Sequence, residues 1–105
     1  MTMGDMSQLF QQAQKMQRDM KQVTDDLKKR TVVGEAGGGM VKVYANGAQE
    51  VLKFEIDKEV IDPEDSGMLE DLLQLATKAA LDKARELSQS EMSRVTGGLN
   101  LPGLF

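Results

Sequence analysis

The chain has neither cysteine nor histidine among its 105 residues. That removes disulfides and thiolate chemistry, and with them the commonest general base and the usual transition-metal ligands. Catalysis would have to rest on carboxylates, lysines or the single tyrosine, Tyr44, and no constellation of these stands out, so no enzyme, metal, cofactor or small-molecule substrate is expected. Tryptophan is absent and only 4% of residues are aromatic. No apolar run approaches the ~20 residues that a membrane span needs. The opening MTMGDMSQLF lacks a basic stretch ahead of an apolar one, so no signal peptide is expected. These absences together predict a cytoplasmic protein acting through its surfaces. One domain fits this length, and so short a chain buries little of its surface, which favours oligomerisation.

The formal net charge of −4 is unevenly spread. Residues 11–30 carry six basic side chains against Asp19, Asp25 and Asp26, a local excess of +3. Residues 50–71 carry nine acids against Lys53 and Lys58, a local −7. A polyanion responds to the local field before it responds to the sum.

A first helix is predicted from about Asp5 to about Lys29, with Asp5 and Gln8 spaced as a capping box. Met6, Leu9, Ala13, Met16, Met20, Val23 and Leu27 follow alternating three- and four-residue steps, the a and d positions of a heptad. Ala13 and three methionines make this seam adaptable. In the same register Lys15, Lys21, Lys28 and Lys29 fall on one flank and Asp5, Asp19 and Asp26 on the other. Lys15–Asp19, Lys21–Asp25 and Asp25–Lys29 have the spacing of i,i+4 ion pairs, as does Lys78–Asp82, with Asp82–Arg85 at i,i+3.

From Thr31 the period changes to two. TVVGEA, GMVKVYA and EVLKFEI are β-branched, alternating stretches bounded by Gly-rich or Asn-Gly turns, which predicts a three-stranded antiparallel meander. Asn46-Gly47 permits two registers. The one pairing Val43 with Leu52 and Val41 with Phe54 is preferred, because it makes one face apolar on both strands. The other face is mixed, and its apolar members Val33, Met40, Tyr44 and Val51 are expected to meet a second subunit.

Asp62-Pro63 predicts a short acidic turn, and the last helix is expected from near Ser66–Met68 to about Thr96. Its stripe is Leu69, Leu72, Leu73, Ala76, Ala79, Ala80, Ala84 and Leu87, stopped by Gly97-Gly98. The organisation is thus one α-β-β-β-α domain over residues 1–98 and a flexible tail over 99–105. A helix of about 25 residues is roughly 37 Å long, against roughly 20 Å for a six-residue strand. About half of each helix must therefore overhang the sheet, giving a sheet-centred homodimer of α+β class with projecting helical arms. Whether the helices pair within or across subunits is left open at this level.

Two familiar motifs fail. The Gly-rich 34–39 segment is followed by a strand instead of a helix, so it lacks the helix amides of a phosphate loop. Asp62, Glu64, Ser66 and Gly67 resemble the start of a calcium loop, but Leu73 occupies the position that needs a bidentate glutamate.

The order of segments resembles the YbaB/EbfC family of nucleoid-associated proteins. A Met/Gln-rich opening helix (QLFQQAQKMQRDM) precedes GEAGGGMVKVYANGAQEVLKFEID, and MLEDLLQLATKAALDKA and a Gly-Leu-x-Leu-Pro-Gly tail follow. The resemblance implies a homodimer whose long helices project like tweezers and bind double-stranded DNA, non-enzymatically, at the nucleoid. Charge and helical phase then select Lys15, Arg18, Lys21, Lys28 and Lys29 on the first helix, and Lys78 and Arg85 on the last, with Lys83 and Arg94 as weaker candidates. The competing expectation is a protein-interaction module that grips a partner with its Met-bearing arms.

Overall fold

A computed structural model of the chain describes residues 3–96, with side chains described over 6–95. It contains α1 (Met3–Leu27), β1 (Thr31–Ala36), β2 (Val41–Asn46), β3 (Val51–Ile56), a 3-10 turn (Lys58–Val60) and α2 (Ser66–Thr96). The strands form an antiparallel meander in the order β1-β2-β3. The expected α+β class and element order hold. The tail over 99–105 lies outside the described residues.

α2 lies across β1 and β2 because its centre is made of small residues. Ala76, Ala80 and Ala84, one turn apart, are fully buried with Val41, Val43 and Ala45 of β2. Gly34 of β1 sits directly beneath: a Cβ there would lie 2.2 Å from the Ala80 nitrogen and 2.3 Å from the Ala76 carbonyl oxygen. This glycine is part of a strand, and its role is to let a helix backbone touch the sheet. Leu69, Leu72 and Leu73 close the end of that core.

Two local expectations are corrected. α1 runs through Asp5 from Met3, so Asp5 stands inside the helix and is not its cap. The β2–β3 register is Val43 opposite Phe54 and Val41 opposite Ile56, two residues from the expected one, with a bulge at Tyr44/Ala45. The apolar-face argument could not detect this, because a two-residue slip keeps every side chain on its own face. Asn46-Gly47 forms the expected turn between β2 and β3.

That dipeptide is the socket of the arm. Asn46 is 3% exposed, and its Oδ1 accepts from the amides of Ala48 and Glu50, both at 3.0 Å. Its Nδ2 donates to the Lys28 carbonyl and the Glu50 carboxylate. The Gly47 amide donates to the carbonyls of Leu27 (2.8 Å) and Arg30 (3.0 Å), and Leu27 packs against the glycine itself. Gln49 closes the turn with φ +64. The hairpin thus holds the last turn of α1 by backbone contacts on both sides.

The molecule is long, 74 × 24 × 17 Å with a radius of gyration of 20.1 Å, against about 13 Å for a globular chain of this length. α1 runs antiparallel beside the C-terminal third of α2, with Asp19, Val23 and Asp26 facing Glu91, Arg94 and Val95. Glu91 clasps the two, accepting from Arg30 at 3.1 Å and from Arg94 at 3.3 Å. Beyond this clasp the N-terminal half of α1 projects alone, and Leu9 and Phe10 are 59% and 65% exposed.

Candidate nucleic-acid interface

Lys15 and Arg18 stand on the projecting arm and Lys21 at its start, within the stretch clasped by α2, and all three are exposed. Gln8, Gln11, Gln12 and Gln14 surround Lys15 and Arg18, and Gln14 and Gln17 border Arg18 and Lys21. From Met6 to Arg18 there is no acidic residue. Charged donors flanked by neutral amides can engage phosphate oxygens and groove edges from one helix.

The ion pairs expected on α1 do not form. Among the described residues, none of Lys15, Arg18, Lys21, Lys28 and Lys29 has a carboxylate within 4 Å, whereas α2 does carry its expected pairs, Lys78–Asp82 at 3.0 Å and Arg85–Asp82 at 3.1 Å. The acidic flank of α1, Asp19 and Asp26, is turned to the clasp with α2. The clasp thereby turns Asp19 and Asp26 toward α2, while Asp25 stays exposed among the cations.

The seven predicted basic residues therefore fall into two groups. Lys28 and Lys29 follow the end of α1, at the arm's root, and continue the basic side toward the body. Lys78 and Arg85 lie on the body, at the rim of a groove between α2 and β3, and share one carboxylate. By helical rise they are about 30 Å from Lys15 along the long axis. Of the weaker candidates, Lys83 is spoken for: its Nζ donates at 2.8 Å to the Val33 carbonyl on the edge of β1, blunting that edge. Arg94 is held by Glu91.

The placement of the acids is what the composition concealed. The segment Asp57–Asp65 precedes α2, at the end of the molecule opposite the arm. The rise of α2 from Ser66 to Glu91, and of α1 back to Lys15, separates the two by about 50 Å. That is several Debye lengths at physiological salt, roughly 8 Å each, so the acidic end does not oppose the field of the arm.

The four apolar residues expected to meet a second subunit do not share a face. Val33 and Tyr44 are on the outer side of the sheet, within a charged lattice: Tyr44 donates to Glu55 (3.0 Å), Lys53 pairs with Glu55 (3.0 Å) and sits 5.3 Å from the Tyr44 ring centre, and Lys42 approaches Glu35. The Lys53 hydrogen bond, helped by that of Tyr44, holds the Glu55 carboxyl below its ordinary pKa, and Glu55 in turn raises Lys53. Met40 packs against the core beside Leu72, and the bulge sets Val51 opposite Ala45, on the α2 side. The apolar surface that sequence reasoning missed lies there. α2 covers β1 and β2 but overhangs β3 only partly, leaving Leu52 53% and Phe54 51% exposed, the latter beside Leu73 and Leu81. The signal was present in the alternation of Leu52 and Phe54, but the offset of the helix was not.

Among the described residues no helix is long and apolar enough to cross a membrane, and no cluster of acidic side chains could hold a metal ion. A family model described as the YbaB/EbfC DNA-binding family matches residues 3–99. The chain is 49% identical over 102 residues to a nucleoid-associated protein of Pelotomaculum thermopropionicum, covering 97% of each. It is 48% identical over 103 residues to one from Ruminiclostridium cellulolyticum, covering 97% of this chain and 90% of that protein. Among solved structures it is similar to the uncharacterized protein HP0035 from Helicobacter pylori, with a TM-score of 0.64 and 24% identity, covering 74% of this chain and 90% of that one.

Proposed function

Because the chain belongs to the YbaB/EbfC DNA-binding family, we propose that it is a non-enzymatic, nucleoid-associated protein that binds double-stranded DNA as a homodimer, with the projecting half of α1 as the contact surface. The relatives' names place them at the nucleoid, and a cytoplasmic, nucleoid-bound location is the corresponding reading here, with an influence on nucleoid organisation and gene expression as its consequence. The observation that carries the contact surface is the polarised charge: Lys15, Arg18 and Lys21 have no carboxylate within 4 Å among the described residues, the first two lie on the acid-free stretch Met6–Arg18, and the acidic end is about 50 Å away. Lys15, Arg18 and Lys21 make the main phosphate contacts, and Lys28 and Lys29 extend them to the root. Lys78 and Arg85 contribute less, since Asp82 already neutralises half of their charge. With backbone contacts dominant, sequence preference is weak or follows DNA shape.

The second subunit is best accommodated on the β3 side. β3 is an edge strand whose outer backbone groups have no partner strand among the described residues, and it exposes Val51, Leu52 and Phe54. Such an edge is a template for pairing, and a two-fold contact through it presents the same patch from both subunits. The outer face with Val33 and Tyr44 is less suited, because its lattice of Glu35, Lys42, Lys53 and Glu55 would lose water.

A gel-shift series at rising salt tests the contact surface. Six arm cations in a dimer predict a slope of about −5 in log K against log salt if all engage phosphates. The combined Lys15→Glu, Arg18→Glu, Lys21→Glu variant should lose retardation at low salt, while Lys78→Glu with Arg85→Glu should bind within about threefold of wild type, roughly 0.65 kcal/mol. Undiminished binding by the arm variant would sink the proposal.

A further inference from the structure

An asparagine followed by glycine, as Asn46-Gly47 is, can be attacked by its own backbone, because glycine puts no side chain in the way of the approaching nitrogen. The Gly47 nitrogen, giving up its proton to base, bonds to Cγ of Asn46, and Nδ2 leaves as ammonia. Water then opens the cyclic imide at one of its two carbonyls and leaves aspartate or isoaspartate at position 46. No oxidant, metal or cofactor enters the reaction.

In the fold both reacting groups are occupied, and each of them holds the root of the arm. The Gly47 amide donates to the carbonyls of Leu27 (2.8 Å) and Arg30 (3.0 Å), so a nitrogen anion there would face two oxygens instead of water. The Leu27 side chain, 2% exposed, fills the place that a Cβ on Gly47 would take and screens the amide from base. Nδ2 of Asn46 donates to the Lys28 carbonyl (3.3 Å) and to Glu50 (2.8 Å). Its Oδ1 accepts from the amides of Ala48 and Glu50, so the carboxamide is held on both ends and cannot turn toward the Gly47 nitrogen.

We propose that Asn46-Gly47 is a modification site, closed to deamidation while the root of α1 is docked and opened when the root is released. Leu27, Lys28 and Arg30 are consecutive or nearly so, and their departure frees the nucleophile and the carboxamide together. The body keeps its own core of Val41, Val43, Ala76 and Ala80, so a local opening at the helix end comes before global unfolding. The change is one-way. Aspartate has no proton to donate to the Lys28 carbonyl, and it sets a second carboxylate where Nδ2 stood 2.8 Å from Glu50. Isoaspartate lengthens the main chain by one carbon and shifts the Gly47 amide away from Leu27. Either product leaves the arm without its socket. The site does not depend on the DNA reading, since it concerns how the arm is held and not what it contacts.

The test follows deamidation at residue 46 in the full-length protein by peptide mass mapping at mildly alkaline pH, with the same chain unfolded in urea as reference. The folded protein should react at least about hundredfold more slowly than the unfolded chain. Leu27→Ala, which uncovers Gly47, should speed the folded reaction at least about tenfold, whereas Gly34→Ala, which disturbs the seat of α2 on β1, should stay within about threefold of wild type. Equal rates in the folded and unfolded chains would overturn the protection. Equal acceleration by Leu27→Ala and Gly34→Ala would put the reaction in the globally unfolded chain and overturn the gating. Glu91→Ala loosens the clasp without touching the socket, and it should raise deamidation and Gly47 amide exchange by the same factor. Deamidation that does not follow that exchange would also count against the gate. In Asn46→Asp the Gly47 amide should lose at least about tenfold of its exchange protection, and wild-type protection there would refute the one-way step.

Discussion

Replacing Gly34 by alanine adds a single methyl group, and the fold predicts a large effect. The new Cβ would lie 2.2 Å from the Ala80 nitrogen, 2.3 Å from the Ala76 carbonyl oxygen and 2.8 Å from the Ala80 Cα. All three are backbone atoms of α2, so no rotamer change relieves the overlap. To restore ordinary contact near 3.4 Å, the helix must rise about 1 Å from the sheet. The contacts that loosen are those of Ala76 and Ala80 with Val41, Val43 and Ala45, all fully buried. Overpacking costs typically about 1–3 kcal/mol, and a clash against a rigid helix backbone belongs at the upper end, about 3 kcal/mol. For a domain of this size each kcal/mol moves the melting temperature by about 4–8 °C, so Gly34→Ala should melt at least about 12 °C below wild type. Circular dichroism, with both proteins at the same chain concentration, reads this. Gly38→Ala is the control: no atom lies within 4 Å of its Cβ, but φ is +67, so its cost is conformational, about 1 kcal/mol. A Gly34→Ala protein melting within about 3 °C of wild type would refute the claim that α2 rests on this glycine.

The socket of the arm is tested by Asn46→Ala, which removes four hydrogen bonds from a buried position. A loss of about 2 kcal/mol in urea unfolding is expected, with exchange protection falling at the Gly47 amide that binds Leu27. Phe54→Asp should shift the light-scattering mass toward the 11.6 kDa chain, whereas Tyr44→Asp should not. The opposite pattern would move the dimer contact to the outer sheet face. The Glu55 carboxyl should titrate below an ordinary glutamate by NMR, because of Lys53 and then Tyr44. Since its folded pKa is lowered, its contribution to stability is present above the unfolded value and is lost as pH falls through the folded one, and Glu55→Gln should flatten that acid dependence. A Glu55 midpoint that stays low in Lys53→Met would contradict the cause assigned to it.

Much of this protein was legible without a structure. The change of hydrophobic period at Thr31 and again after Pro63 decided the number, kind and order of elements, because period is a property of local geometry. The helix lengths alone required an overhang. The family was legible because its segments occur in order along nearly the whole chain. Even the basic flank of α1 was visible, since helical phase follows from residue number.

What the local pattern could not decide was anything set by the approach of one element to another. The β2–β3 register moved by two residues, which costs the alternation nothing. Gly34 and Gly47 read as turn material, and only the packed fold shows that helix backbone or Leu27 occupies the space of their missing side chains. The exposed apolar edge at Leu52 and Phe54 exists because α2 is centred on β1 and β2, an offset set by Ala76, Ala80 and Gly34 together. The ion pairing of α1 followed the same logic. Sequence spacing offers Asp19 to Lys15, but the clasp around Glu91 draws Asp19 and Asp26 toward α2 and leaves the cations facing outward. Which charges a helix presents depends on what its other face is packed against, and only the tertiary structure holds that information.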